Sequence, residues 1–256
     1  MARRRHSQIF LSDARTISRL VAVVPPREND APVLEIGPGS GAVTRGLLAA
    51  GFRVVAVEVD DYWAEITAAI GGSIRVVHAS ILDTALPELV PTPATVVGSL
   101  PYHLSGAILR WLADNADYVG TAVLILQDEV VRRVGAEPGS RERGLLSIIM
   151  QSVYDVKPLF RISPGAFVPR PGVWSRSVML TRSSDAKPVG RVRPMWRLAA
   201  DLFRHRRKMI GGSLKRVYGP AARDRAMASG LDLTRRPETL TLAELEALEF
   251  AVSSGR

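Results

Sequence analysis

Apolar positions along the chain fall in short blocks separated by polar and glycine-rich stretches. Residues 33–36 "VLEI", 52–60 "FRVVAVEVD", 73–83 "SIRVVHASILD", 94–102 "ATVVGSLPY" and 121–135 "TAVLILQDEVVRRVG" each carry a run rich in Val and Ile. Continuous β-branched runs of this length predict buried strands, the last of them running on into a helix. Between the first two lies "AVTRGLLAAG" (42–51), read as a short helix closed by Gly51. Strands alternating with helices predict a mostly parallel sheet covered on both faces. Two later blocks, "SVYDVKPLF" (152–160) and "SVMLTRSSD" (177–185), read as antiparallel strands and bring the expected total to seven. "PGSRERG" (138–144) reads as an exposed loop, and "SSDAKPVGRVRP" (183–194) as a polar linker. Beyond it, "MWRLAADLFRHRRKMIGGSLKRVYG" (195–219) and "TLAELEALEFAVSS" (241–254) read as helices. The expected division is a sheet domain over 1–185 and a small helical domain over 186–256. Trp111 and Trp196 are expected in the core.

Charge changes this picture more than composition does. The chain of 256 residues has net charge +9. The segment from Ser184 to Arg225 holds twelve Lys and Arg against Asp185, Asp201 and Asp224, so it alone accounts for that excess. A local surplus of this size predicts a polyanion as partner. The absence of cysteine excludes thiol catalysis and disulfides, and His6, His78, His103 and His205 are too scattered to suggest a metal site. No apolar run approaches the roughly 20 residues of a membrane span, and "MARRRHSQIFLSD" lacks the apolar stretch of a secretory signal. A cytoplasmic protein without metal is expected.

Two motifs carry chemistry. "LEIGPGSG" puts Gly37, Gly39 and Gly41 at the end of the first long strand, where open parallel sheets bind ligands. Glu58 ends the next strand at the spacing from which an acid reaches the hydroxyls of a ribose. Ala42 stands where a dinucleotide fingerprint has its third glycine. This argues against a pyrophosphate and for S-adenosylmethionine, an adenosine joined to an amino acid. The second motif, Ser99-Leu100-Pro101-Tyr102 at the end of the fourth long strand, resembles the active-site motif of enzymes that methylate an exocyclic amine on a nucleic-acid base. An exocyclic amine on a base is a poor nucleophile, and acceptors aimed at its N–H groups free its lone pair. Positioning and electrostatics then carry the rate, and an aromatic such as Tyr102 stacks on an extruded base. His103, Gln127 and Glu129 are further candidates for bordering the site, or are plain loop and helix-start residues.

In order along the chain, "SQIFL", "LEIGPGSGAVT", "VVAVEVD", "GSLPYHLSG", "LQDEVVRRV", "PGSRERGLLSIIMQSVYDV", "AFVPRPGVWSRSV" and "HRRKMIGGSLKRV" resemble the KsgA family of ribosomal RNA adenine dimethyltransferases and its Erm relatives. "PGSRERGLLS", "FVPRPGVWS" and Leu100 resemble KsgA more than Erm, while "HSQ" leans towards Erm. The resemblance implies a Rossmann-like methyltransferase sheet. Ile9, Leu11, Gly37, Gly39, Glu58 and Ser80 would hold S-adenosylmethionine. Ser99, which also borders the cofactor, would accept from the target amine together with Leu100. Tyr102 and Phe167 would stack on the base. Arg204, Arg206, Arg207, Lys208, Lys215 and Arg216 would bind RNA. The implied reaction is dimethylation of adenine amines in small-subunit ribosomal RNA, on immature subunits, by a monomer. Erm-type modification of large-subunit RNA and an RNA-binding assembly factor with a weakened site are the alternatives.

Three residues depart from the family. Ile9 replaces an asparagine or histidine. Ser80 replaces an aspartate, and Asp83 sits too far along the loop to stand in for it, so cofactor binding is expected to weaken by ~1–3 kcal/mol. Ser99 replaces the catalytic asparagine; some DNA amino-methyltransferases with a similar motif carry serine there.

Overall fold

The computed structural model describes residues 9–26 and 31–254. They form two compact units: residues up to Val131 with Tyr154–Ser184, and Arg132–Val153 with Asp185 onward. One division falls between Ser184 and Asp185, and residues 132–153 cluster with the C-terminal helices instead of with the strands that flank them in sequence.

In the first unit the apolar runs become strands. The order along the chain is β1 (Phe10–Leu11), α1 (Ala14–Ala22), β2 (Val33–Ile36), α2 (Ala42–Ala49), β3 (Val54–Glu58), α3 (Asp61–Ala68), β4 (Ile74–His78), α4 (Leu86–Leu89), β5 (Ala94–Ser99), α5 (Ser105–Asp114) and β6 (Val119–Gln127). Helix α6 (Asp128–Val134) leads into the second unit and α7 (Leu145–Gln151) leads back to β7 (Tyr154–Ile162), β8 (Phe167–Val168) and β9 (Ser175–Arg182). The large sheet has seven strands in the order β4-β3-β2-β5-β6-β9-β7. Strands β2 to β6 pair in parallel. Only β9 runs against its neighbours, antiparallel to both β6 and β7. Both late strands thus lie in antiparallel pairs, as expected, although β7 itself runs parallel to β6. β7 restarts from the end at which β6 began, so the hairpin to β9 makes the single reversal.

Helix boundaries follow local chemistry. Asp13 caps α1 by accepting from Thr16 N at 2.7 Å, and Asp60 caps α3 by accepting from Trp63 N. Gly41, in the left-handed region at φ 73°, starts α2. A Cβ there would meet Ile70 Cδ1 at 2.4 Å, so any larger residue would have to push that helix-end side chain aside. Trp111 is buried, its indole donating to the Thr84 carbonyl at 3.3 Å.

The second unit contains α6's end and α7, then α8 (Val189–Arg204), α9 (Ile210–Tyr218), α10 (Pro220–Ala228) and α11 (Leu242–Ser253). Half of the expected linker is therefore helical. Val189, Val192, Met195, Trp196 and Ala199 recur at helical spacing on a buried face, which outweighs Pro194 inside the helix. The run 195–219 breaks at 205–209 into two helices, and α10 was not anticipated. The "PGSRERG" loop is exposed at Pro138, Gly139 and Arg141, but Arg143 is 1% exposed. Its guanidinium donates to the carbonyls of Ala136 and Leu240 and to Gln151 Oε1. Trp196 is buried and donates to Ser152 Oγ at 2.8 Å.

Candidate functional site

The chain leaves β2 towards β3 and β4 on one side and returns to β5 on the other. The carboxyl ends of β2 and β5 therefore lie side by side with no connection crossing between them, which opens a crevice. The register pairs Leu34 with Val96 and Glu35 with Val97, carrying Gly37 beside Ser99. Gly98 is what lets the strands meet there: a Cβ would lie 3.0 Å from the Ile36 carbonyl oxygen.

A cavity of about 320 Å³ occupies this crevice, within the size range of small-molecule sites. Its lining brings together Ile9, Leu11, Gly37, Gly39, Glu58, Ser80, Ser99, Leu100, Tyr102 and Phe167. The short β1–β8 pair closes one side, with Leu11 opposite Phe167 and Phe10 opposite Val168. Ser12 N and Asp13 N both donate to the Ala166 carbonyl, which ties the N-terminal segment to the Phe167 turn. The Phe10 ring packs on Gly39, where a Cβ would sit 2.5 Å from it, and lies 4.6 Å from the Trp63 ring. Ser7 and Gln8 of "SQIFL" lie outside the described residues.

Glu58 is 6% exposed, and its carboxylate is satisfied by backbone. Oε2 accepts from Gly39 N at 3.1 Å, and Oε1 accepts from Val59 N at 2.9 Å and Asp60 N at 3.0 Å. One acid thus ties the glycine turn to the end of β3 and keeps a lone pair on Oε2 for a hydroxyl. Gly37, at φ 64°, has nothing within 4 Å of a would-be Cβ, so a ligand can approach its backbone closely. Two carboxylates, Glu35 and Glu58, line the cavity, and no Lys or Arg does among the described residues. That electrostatic character disfavours phosphates and suits an adenosine carrying a cationic sulfur and an ammonium group. The residues present therefore fit S-adenosylmethionine.

Glu35 was missed by the sequence reading, which took it as part of an apolar strand. It is 1% exposed and accepts from Thr44 Oγ1 at 2.7 Å. Burial pushes its carboxyl up to about 7; the Thr44 bond works against this and the charge of Glu58 adds to it. Ser80 caps the turn Ile81–Asp83 by accepting from Leu82 N at 3.2 Å. Asp83 is exposed and does not line the cavity, in line with its distance along the loop.

Ser99 closes β5, half-buried, and its hydroxyl has no hydrogen-bond partner among the described residues. Leu100 is buried, and its N–H donates to the Ile125 carbonyl at 3.1 Å, anchoring the motif to β6. The Pro101 carbonyl accepts from Leu104 N and from Ser105 Oγ, which fixes the turn into α5. Tyr102 Oη lies 2.8 Å from Ser175 Oγ, and burial raises its phenol while the Ser175 bond opposes the shift. Ser175 is fully buried, 73 positions away, and no local signal could have found it. His103 lines the cavity and is exposed, whereas Gln127 and Glu129 do not line it.

The basic candidates lie in the second unit and are not equivalent. Arg207, Lys208, Lys215 and Arg216 are exposed, as is Arg204, whose guanidinium sits 3.4 Å from Asp201. Arg206 is engaged within the unit, donating to the Arg141 carbonyl at 2.6 Å with Glu238 3.9 Å away.

Comparisons with known proteins agree with this geometry. The family model for ribosomal RNA adenine dimethylase matches residues 1–248. The ribosomal RNA small subunit methyltransferase A of Rhodospirillum rubrum is 36% identical over 258 residues, covering 99% of this chain and 88% of the relative. The protein of the same name from Anaeromyxobacter dehalogenans is 38% identical, covering 98% and 93%. Among solved structures, a dimethyladenosine transferase from Plasmodium falciparum superposes with a TM-score of 0.77 at 17% identity, covering 94% of this chain and 96% of that one. The 23S rRNA methyltransferase ErmE superposes at 0.70 with 25% identity, covering 95% and 99%. With a fold, a cofactor cavity and a sequence match in agreement along nearly the whole chain, this protein belongs to the ribosomal RNA adenine dimethylase family of S-adenosylmethionine-dependent methyltransferases.

Proposed function

We propose that this chain dimethylates the exocyclic amine of adenines in small-subunit ribosomal RNA, acting as a monomer on immature subunits in the cytoplasm. One observation carries the reading: Gly37 and Glu58 share a single cavity with Ser99, Leu100, Tyr102 and Phe167. The relatives from Rhodospirillum rubrum and Anaeromyxobacter dehalogenans are ribosomal RNA small subunit methyltransferases, which favours the small subunit over the large. Among the described residues, no helix is long and apolar enough to cross a membrane.

When bound, S-adenosylmethionine supplies a methyl group on a sulfonium centre. Glu58 Oε2 accepts a ribose hydroxyl, and Gly37 admits the amino-acid part against bare backbone. Ser99 Oγ, without a hydrogen-bond partner among the described residues, accepts an N–H of the adenine amine and draws its nitrogen towards tetrahedral geometry. The Leu100 carbonyl takes the second N–H, on a backbone pinned by the Ile125 bond. Tyr102, held by Ser175, and Phe167 stack on the base. Hydrogen-bond acceptors would suffice in place of a strong base, because the nitrogen becomes cationic as it takes the methyl group, and its now acidic proton would pass to solvent water. Arg207, Lys208, Lys215 and Arg216 neutralise RNA phosphates.

The test is tritium transfer from labelled cofactor to small subunits purified from cells lacking the protein, with mass spectrometry of the RNA. Dimethyladenine in small-subunit RNA is expected. Label in large-subunit RNA alone, or cofactor binding without transfer, would refute the reading.

A further inference from the structure

The loop from 168 to 174 starts and ends at the base pocket. Phe167, just before it, lines the cavity and is buried; Ser175, just after it, is buried and hydrogen-bonds Tyr102. Between these anchors the loop turns outward. Val168 is 61% exposed, Val173 44% and Trp174 47%. Arg170 is exposed as well, while Pro171 is buried and pins the middle of the loop. The indole is thus left half in solvent one residue from Ser175, on a loop whose Val168 and Val173 are exposed as well.

Trp174 is also fixed and charged about. Its carbonyl accepts from Asp128 N at 2.9 Å. The Arg161 guanidinium lies 4.7 Å from its ring centroid. Asp128 takes Arg176 at 2.6 Å and Arg161 at 3.4 Å, so two guanidiniums share one carboxylate and the cluster keeps a positive surplus. Arg170 adds to it. A presented aromatic face with surplus guanidinium beside it is the composition that holds single-stranded nucleic acid, base on ring and phosphate on cation.

We propose that Trp174 and Arg161 form a subsite for a nucleotide flanking the target adenine in the same RNA strand. The indole stacks on that nucleotide's base, and Arg161 and Arg170 meet its phosphate. The inference rests on the RNA methyltransferase reading above and adds a position-specific contact to it. Because the contact is to a neighbour and not to the reacting base, it contributes to substrate binding and leaves the chemical step alone.

Trp174→Ala and Trp174→Phe test this on the full-length protein, with immature small subunits as substrate. Stacking on an aromatic predicts that Trp174→Ala raises KM for subunits at least tenfold, with kcat within about twofold. Cofactor affinity should match the wild type, which reports an intact cavity. Trp174→Phe should restore KM. The chain has four tryptophans, so comparing wild type with Trp174→Phe isolates the Trp174 fluorescence. A single-stranded oligoribonucleotide should quench that signal. An active wild type whose KM is unmoved by Trp174→Ala overturns the subsite. So does quenching by subunits but not by the oligoribonucleotide, which would make the partner a ribosomal protein. A wild type unable to methylate RNA, with Trp174 still quenched by the oligoribonucleotide, would support the subsite and count against the proposed reaction.

Discussion

Replacing Ser99 by alanine separates chemistry from structure in this protein. The Ser99 hydroxyl has no hydrogen-bond partner among the described residues, and the motif's backbone is held independently through Leu100 N and the Ile125 carbonyl. Removing the hydroxyl therefore orphans no donor and breaks no internal bond, and stability should change by no more than about 0.5 kcal/mol. Cofactor affinity should be nearly unchanged, because Glu58 and Gly37, the residues proposed to hold the ribose and the amino-acid part, line the same cavity and are left untouched. The loss is confined to the transition state, where an acceptor for the developing ammonium disappears. One positioned polar group of that kind is worth roughly 10²-fold, about 2.7 kcal/mol. The assay is single-turnover methyl transfer to immature small subunits at saturating cofactor, paired with calorimetry of cofactor binding and a thermal melt. The expected pattern is a large drop in rate beside unchanged affinity and midpoint. Ser99→Asn, which places the family's residue on the same strand end, should keep or raise the rate. If the wild type is active and Ser99→Ala equally so, the Leu100 carbonyl and Tyr102 suffice and the role given to Ser99 is wrong.

Glu58→Ala should weaken S-adenosylmethionine binding at least tenfold, about 1.4 kcal/mol, and also lower the melting midpoint, because three backbone N–H groups lose their acceptor; calorimetry and melting measured together check both. Glu35 has its carboxyl raised from the ordinary 4.5 to about 7, so its contribution to stability is complete below pH 4.5 and is lost as pH rises through 7, by about 3 kcal/mol at most. Glu35→Gln keeps an acceptor for Thr44 and should flatten that decline; identical pH–stability curves for wild type and variant would show the shift is not there. Neutralising Arg207 and Lys208 should lower the slope of log affinity for RNA against log salt by about 1.5 without changing stability. Arg206→Gln should instead lower the melting midpoint, since its guanidinium is spent on the Arg141 carbonyl and lies beside Glu238.

Elements whose signal is local were legible in the amino-acid sequence. Runs such as Val54–Glu58 and Ala94–Ser99 are apolar at consecutive positions, because strands covered on both faces exclude water everywhere along their length. Gly37 and Gly39 announce the turn because φ values of 64° and 51° are strained for other residues. Every candidate of the cofactor and base sites lines one cavity: Gly37, Glu58 and Ser99 because strand-end positions of one parallel sheet share an edge, and Ile9, Leu11 and Phe167 because the β1–β8 pair closes its side. What the tertiary structure alone decided is what distant partners do to a side chain. Glu35 and Arg143 carry ionisable side chains that are both buried, and partners 9 and 97 positions away, Thr44 and the Leu240 carbonyl, hydrogen-bond them there. Arg206 and Arg207 are adjacent and chemically the same, yet one is consumed within its unit and the other is exposed. Ser175 reaches Tyr102 across 73 positions, and residues 132–153 join the C-terminal helices across a sequence gap. Period and spacing encode which face of an element is apolar. They carry no record of which element comes to lie against it, and burial, charge pairing and pKa depend on that second choice.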